Sequence, residues 1–264
     1  MSISLAVIGA GDLGLRVAAL RVSQGDQVSA MRRRNLPMPE GVQAVFGDMH
    51  DAETLLRLAS TPDVLLFCPS PDERTETGYQ KTFVQALHKA MHIIQPKRIF
   101  FVSSTAVYAQ DNGEWVDETC TADALRFNGK VLREAEQLCL SQPSNVVLRL
   151  SGITGPGRHM LINKALLGEG IQHIWTNRIH IDDAASAISF LINQSSPDSM
   201  YNVSDDEPAL QVEVANWIRQ KHALPQLPLP NAQARGKRIS NAHIKALGWR
   251  PRYPSFRECY ALQR

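Results

Sequence analysis

The hexapeptide Gly9-Ala10-Gly11-Asp12-Leu13-Gly14 constrains this chain more than any other feature. It follows the apolar run Leu5-Ala6-Val7-Ile8 and leads into Leu13, Val17 and Leu20 at helical spacing. It therefore reads as the turn between a buried strand and an amphipathic helix. G-x-G-x-x-G at such a turn has a physical logic. The first glycine permits the tight turn and the second lets a pyrophosphate approach the backbone. The third allows close helix–strand packing, and the helix N-terminal amides then face the anion. Strand, glycine turn and helix arrive in the order that dinucleotide binding requires, so Gly9, Gly11, Asp12, Leu13 and Gly14 are candidate cofactor contacts.

Further apolar runs follow at Gln27–Met31, Ala44–Phe46, Val64–Phe67, Ile99–Val102 and Val146–Leu150, separated by helical stretches near 51–58 and 79–94. Phe83, Leu87 and Met91 form one stripe of the second stretch. Continuous apolar strands alternating with amphipathic helices predict a parallel sheet covered on both faces. The fold expected is α/β, a Rossmann-type doubly wound parallel sheet, with a smaller interleaved C-terminal lobe. Residues 1–155 form the dinucleotide-binding domain, with returns to its sheet near 178–205, and residues 156–264 are mainly a small substrate-binding lobe. Within that lobe Leu161–Leu167, Ala184–Ile192 and Val212–Ile218 read as helices, and Arg178–Ile181 and Met200–Val203 as strands. The proline-rich stretch Leu224–Pro230 reads as extended linker, and Ser240 as the cap of a helix that stops at Gly248.

With 264 residues, 44% apolar and 20% charged, the chain has ample material for a core. A net charge of +2 implies no field for nucleic acid or an anionic membrane. Asp12 and Arg16 interrupt the apolar N-terminal stretch, and no basic segment precedes it, so neither a signal peptide nor a membrane span is expected. The four cysteines, at 68, 120, 139 and 259, lack C-x-x-C spacing. No cluster has metal-ligand spacing, and no metal is expected. Reduced, widely spaced cysteines favour the cytoplasm.

The end of the second strand selects the ribose. An acidic residue there binds a 2′-hydroxyl, whereas an arginine accepts a 2′-phosphate. Arg32, with Arg33 beside it, occupies that place, which reads either as NADP preference over NAD or as a solvated basic turn.

Several motifs come in a familiar order: Gly47-Asp48-Met49, Val102-Ser103-Ser104-Thr105-Ala106-Val107-Tyr108, Leu148-Arg149 through Gly155-Pro156-Gly157, His180-Ile181-Asp182-Asp183, Tyr201-Asn202-Val203 and Leu247-Gly248-Trp249-Arg250-Pro251. Nearly end to end, the chain resembles the extended short-chain dehydrogenase/reductases of the NAD-dependent epimerase/dehydratase group, which includes nucleotide-sugar epimerases. The resemblance implies that Asp48 and the Met49 amide clamp the adenine, that Ser104 is the catalytic hydroxyl with Thr105 as a second donor, and that Tyr108 and His180 are structural. It also implies a possible homodimer, formed through the helices after strands four and five.

The chain departs from the family at its Tyr-x-x-x-Lys helix, which here reads Arg126-Phe127-Asn128-Gly129-Lys130. Lys130 holds the family lysine's place, implying contact with the nicotinamide ribose, but Arg126 replaces the tyrosine. An arginine stays protonated and cannot exchange a proton near neutral pH, although it can hold a carboxylate or phosphate. Arg126 is thus either an anion hook for substrate or a surface residue on a helix without its former role. Two functions stay open. One is an NADP-dependent oxidoreductase or epimerase-like enzyme acting on an anionic, sugar-like small molecule. The other is a catalytically inactive NADP-binding redox sensor.

Overall fold

The structure, a computed structural model, describes residues 2–261. Its elements run β1 (Ser4–Ile8), α1 (Asp12–Ser23), β2 (Gln27–Arg32), β3 (Val42–Phe46), α2 (Ala52–Leu58), β4 (Val64–Phe67) and α3 (Glu76–Tyr79). A π-helical segment (Gln80–Gln85) joins α3 to α4 (Ala86–Ile94). Then come β5 (Arg98–Ser104), a 3₁₀ turn (Thr105–Val107), β6 (Asn112–Val116), α5 (Phe127–Cys139), β7 (Val146–Leu150), β8 (Gly152–Thr154) and α6 (Met160–Leu167). The chain continues through β9 (Ile174–Thr176), β10 (Arg178–His180), α7 (Ile181–Ile192), β11 (Met200–Val203), β12 (Ala209–Leu210), α8 (Gln211–Lys221), β13 (Arg235–Ile239), α9 (Ala242–Ala246) and α10 (Phe256–Ala261).

Seven strands form the central sheet in the order β11-β7-β5-β4-β1-β2-β3, with parallel pairing from β3 through β5. The expected doubly wound α/β sheet is therefore present. Chain order reverses between β1 and β4, where Ile8 lies opposite Phe67. In open α/β sheets ligands bind outside the carboxyl ends of the strands at such a switch point. Leu5, Ile8, Leu65, Leu66, Phe67, Phe100 and Phe101 are at most 1% exposed, which explains why these strands read as unbroken apolar runs.

The chain divides into two compact units. The first comprises residues up to Tyr108, Ala122–Arg149 and Ala185–Tyr201; the second comprises Ala109–Thr121, Leu150–Ala184 and the chain from Asn202 onward. A boundary drawn at residue 155 does not foresee that 109–121 belongs with the second unit. That segment supplies β6, which pairs with β13 in a four-stranded sheet of order β12-β9-β13-β6. In the same unit α6 and α8 bury Ala165, Val214, Ala215 and Ile218 with Phe256 and Tyr260.

Within the second unit His180 is buried, its ring stacked 3.9 Å from that of Tyr253. Asp183 accepts from the amides of Arg252 and Tyr253 at 2.9 and 2.8 Å. Burial pushes the Asp183 carboxyl above its ordinary value. At the start of α9 the Ser240 Oγ accepts from the Ala242 amide at 3.3 Å, as expected of a capping serine, and the boundary residue Asn241 donates its side-chain amide to the carbonyls of Ser204 and Asp205. Gly248 does end that helix as expected, in the left-handed region at φ +105°.

Candidate functional site

The glycine turn sits at the switch point. Gly9 has φ +91°, and a Cβ there would lie 2.5 Å from the Pro69 nitrogen, so only glycine fits. Gly14 brings α1 so close to the turn that a Cβ would meet the Gly9 carbonyl oxygen at 2.5 Å. The Cys68 thiol donates to that same carbonyl at 3.4 Å. Gly11 differs: a Cβ there would meet nothing within 4 Å. The open space over Gly11 lies beside the start of α1, where the first amides have no carbonyl partner within the helix. A side chain would fill that space, and a pyrophosphate suits it. The residues present fit a dinucleotide.

At the far side of the turn, β2 and β3 end with Arg32 opposite Phe46, and the Gly47 amide donates to the Arg32 carbonyl at 3.2 Å. Gly47 packs so tightly on Thr54 of α2 that a Cβ would come within 2.3 Å of its hydroxyl. The exposed Asp48 follows, accepting from the His50 amide at 2.8 Å, with Met49 half-buried beside it. The two arginines separate here. Arg33 makes a bidentate pair with Asp72, which raises the guanidinium's pKa. Among the described residues, Arg32 reaches only the Pro37 carbonyl, at 3.5 Å.

Ser104 ends β5 half-buried, and its Oγ accepts from the Ala106 amide at 3.2 Å. That is the local contact of a turn serine, and it leaves the hydroxyl proton to donate elsewhere. Thr105 begins the turn. Gly129 of α5 packs against this turn, since a Cβ would lie 2.5 Å from the Ala106 carbonyl oxygen. That close approach is what the Asn-Gly ahead of Lys130 provides.

Arg126 is not inside the helix, as its spacing from Lys130 suggests, but caps it with extended backbone at φ −91°, ψ 150°. Its carbonyl accepts from the Lys130 amide at 3.1 Å. The Arg126 guanidinium and the Lys130 ammonium are exposed, and neither has a hydrogen-bond or ion-pair partner among the described residues.

Arg126 lines a depression together with Ser70, Pro71, Arg74, Tyr79, Phe127 and Asn128. Arg74, Tyr79 and Ser70 carried no motif that singled them out in sequence. Among the described residues, two guanidiniums and no carboxylate line this depression. Ser104, Thr105 and Lys130 are not among its lining residues.

Tyr108 is set apart from a ligand by burial, at 3% exposure. Its hydroxyl accepts from Arg149 Nη1 at 2.8 Å, and Arg149 also binds the fully buried Glu136. Among the described residues no group of His, Cys, Asp and Glu is placed to hold a metal ion. No helix among them is long and apolar enough to cross a membrane.

Residues 9–146 match the family model described as NAD(P)H-binding. A solved structure from Methylobacillus flagellatus, assigned as an NAD-dependent epimerase/dehydratase, is 34% identical with a TM-score of 0.85, covering 98% of this chain and 96% of its own. The 3-diazoavenalumate denitrifying reductase of a Streptomyces species is 28% identical, over 92% of this chain and 93% of its own. MoeE5, solved in complex with UDP-glucuronic acid and NAD, shares the fold at TM-score 0.80 and 21% identity, covering 98% of this chain and 97% of its own. Given this match over the glycine turn and the sheet that carries it, the chain belongs to the NAD(P)H-binding proteins, as a short-chain dehydrogenase/reductase of the NAD-dependent epimerase/dehydratase kind.

Proposed function

We propose that the protein is an NADP-dependent oxidoreductase acting on an anionic small molecule. The observation that carries this reading is the depression lined by Arg74 and Arg126 without a carboxylate. A guanidinium holds a carboxylate or phosphate by paired hydrogen bonds, and an unpaired one has its donors available. The name of the Streptomyces relative's substrate, 3-diazoavenalumate, is that of an anion, which agrees with such a site.

The roles of the chain's own residues follow from position. Gly9, Gly11 and Gly14, with the backbone of Asp12 and Leu13, would hold the pyrophosphate. Asp48 and the Met49 amide would hold the adenine, Arg32 the 2′-phosphate, and Lys130 the nicotinamide ribose. A bound nicotinamide supplies hydride-transfer chemistry. Arg126 and Arg74 orient the anionic substrate, while Ser104 and Thr105 offer hydroxyl donors at the end of β5. The protein works in the cytoplasm on a small molecule, without nucleic acid or membrane.

Calorimetry tests this with NADPH and a panel of nucleotide sugars, sugar acids and aromatic carboxylates on wild type, Arg74→Ala and Arg126→Ala. Each substitution should weaken the bound anion by at least about tenfold, the loss of one charge-assisted contact. NADPH affinity should stay near wild type. If no anion binds, or if Arg126→Ala leaves every anion affinity unchanged, the enzyme reading fails. Tight NADPH binding without turnover would then favour the redox sensor.

A further inference from the structure

We propose that Tyr79 is the proton donor of this site, replacing the phenol that the chain lacks at Arg126; the proposal rests on the oxidoreductase reading above. Reduction of a carbonyl needs a hydride at carbon and a proton at oxygen, and the side chains already described do not readily supply the proton. The guanidiniums stay charged, the Tyr108 hydroxyl is buried beneath Arg149, a serine hydroxyl is a poor acid, and the Lys130 ammonium does not line the depression. Tyr79 is the phenol that lines the same depression as Arg74 and Arg126.

Its setting suits the task. The ring is held on two sides, 5.3 Å from the Phe83 ring and 5.6 Å, edge to face, from that of Phe127. The half-buried side chain has no hydrogen-bond partner for its hydroxyl among the described residues. A fixed ring with an uncommitted hydroxyl is what a positioned acid requires.

The backbone points the same way. Gly78 packs so closely on the preceding turn that a Cβ would lie 2.4 Å from the Glu73 carbonyl oxygen, which brings Arg74 and Tyr79 onto one small surface. Directly after Tyr79 the helix widens into the π segment Gln80–Gln85 before α4 resumes. Such widening changes the angular phase of the residues before it, and it recurs at functional sites. Gln80 also donates to Glu134 of α5 at 2.6 Å, tying this helix to the one that begins at Arg126 and Phe127. The lining guanidiniums offset the negative charge that remains on the phenol oxygen after proton transfer.

The step balances. The carbonyl carbon gains hydride from a reduced nicotinamide dinucleotide, and the carbonyl π bond becomes the oxygen's new bond to the proton of Tyr79. The phenolate regains its proton from water.

The test uses 4-carboxybenzaldehyde, which joins a carboxylate to a carbonyl, with NADPH on wild type, Tyr79→Phe and Tyr108→Phe. Wild type should reduce the probe. Tyr79→Phe should lower kcat by at least about 100-fold, the usual size of a general-acid contribution. Its KM and its calorimetric affinities for probe and NADPH should stay near wild type. The tyrosine difference spectrum evoked by probe binding should vanish in Tyr79→Phe and persist in Tyr108→Phe. A Tyr79→Phe protein with wild-type kcat overturns the assignment and leaves the oxidoreductase reading standing. Probe binding without any turnover by wild type also overturns it. Failure of every carboxylate to bind removes the underlying reading, and the proposal with it.

Discussion

Arg149 binds Glu136 through Nε at 2.9 Å and Nη2 at 2.6 Å, with both residues at most 1% exposed. Ser103 donates to the same carboxylate at 2.7 Å, and Arg133 adds a contact at 3.1 Å. The pair joins α5 to β7 and holds the Tyr108 hydroxyl in place. Two charges this deep stabilise only while both are present, because either alone is stranded without solvent. Glu136→Ala should cost about 3–5 kcal/mol, the range for breaking a buried pair. Tyr108→Phe leaves one N–H without its partner and should cost about 1–3 kcal/mol. Denaturant melts of the two variants check both, with NADPH affinity of Tyr108→Phe staying near wild type. A Glu136→Ala protein as stable as wild type would remove this pair from the account of the fold.

Gly11 and Gly14 should respond oppositely to a side chain. Gly14 lies in α1, where alanine for glycine ordinarily gains about 0.5–1 kcal/mol. Here the added Cβ would stand 2.5 Å from a backbone oxygen, and this overlap outweighs the helix propensity. Gly14→Ala should therefore lower the melting temperature. Gly11→Val enters open space, so the apo fold should melt close to wild type while NADPH binding is lost. Melting curves and nicotinamide fluorescence on the same samples separate the effects. A folded Gly11→Val protein with unaltered NADPH affinity would displace the cofactor from this turn.

Features set by local chemistry were legible in sequence. The glycine turn, the buried strands and the buried stripe of α5 each announce themselves within a few residues. The second sheet does not. Arg235-Gly-Lys-Arg-Ile and Asn112-Gly-Glu-Trp-Val carry too many polar residues to show a strand pattern, and they become strands by pairing across a long stretch of chain. Arg126 escaped placement for a related reason. Caps favour Ser, Thr, Asp or Asn, so an arginine gives no boundary signal. Arg74 and Tyr79 lie in a polar segment without motif, and only the folded turn at Gly78 sets them beside Phe127. The Asp72 that occupies Arg33 was equally invisible.

That ion pair sharpens the cofactor prediction. Arg33 has its paired donors on Asp72, whereas Arg32 makes one long contact. A 2′-phosphate would meet Arg32 first, gaining about 1.5–3 kcal/mol from a charged hydrogen bond. NADPH should bind at least several-fold tighter than NADH, and Arg32→Asp should reverse the order. Arg33→Ala should matter less. Fluorescence titration with both nucleotides measures this, and equal wild-type affinities would reduce Arg32 to a solvated turn residue.

Asp205 gives the stability a pH dependence of defined sign. Burial pushes its carboxyl up to about 8, although the Arg178 charge and the Glu207 amide pull the other way. Between the ordinary value of 3.8 and about 8, the unfolded chain ionises Asp205 while the folded protein keeps the proton. The folded state then binds more protons, so stability falls as pH rises through that window and levels off above it. Asp205→Asn cannot ionise and should be free of this loss. Its melting temperature should match wild type near pH 4 and exceed it increasingly towards pH 8, at about 2–4 °C per kcal/mol for a chain of this size. Thermal melts at pH steps across the window measure the gap. A constant gap, or one that widens towards acid, would mean that Asp205 is ionised in the folded protein and that Arg178 outweighs its burial.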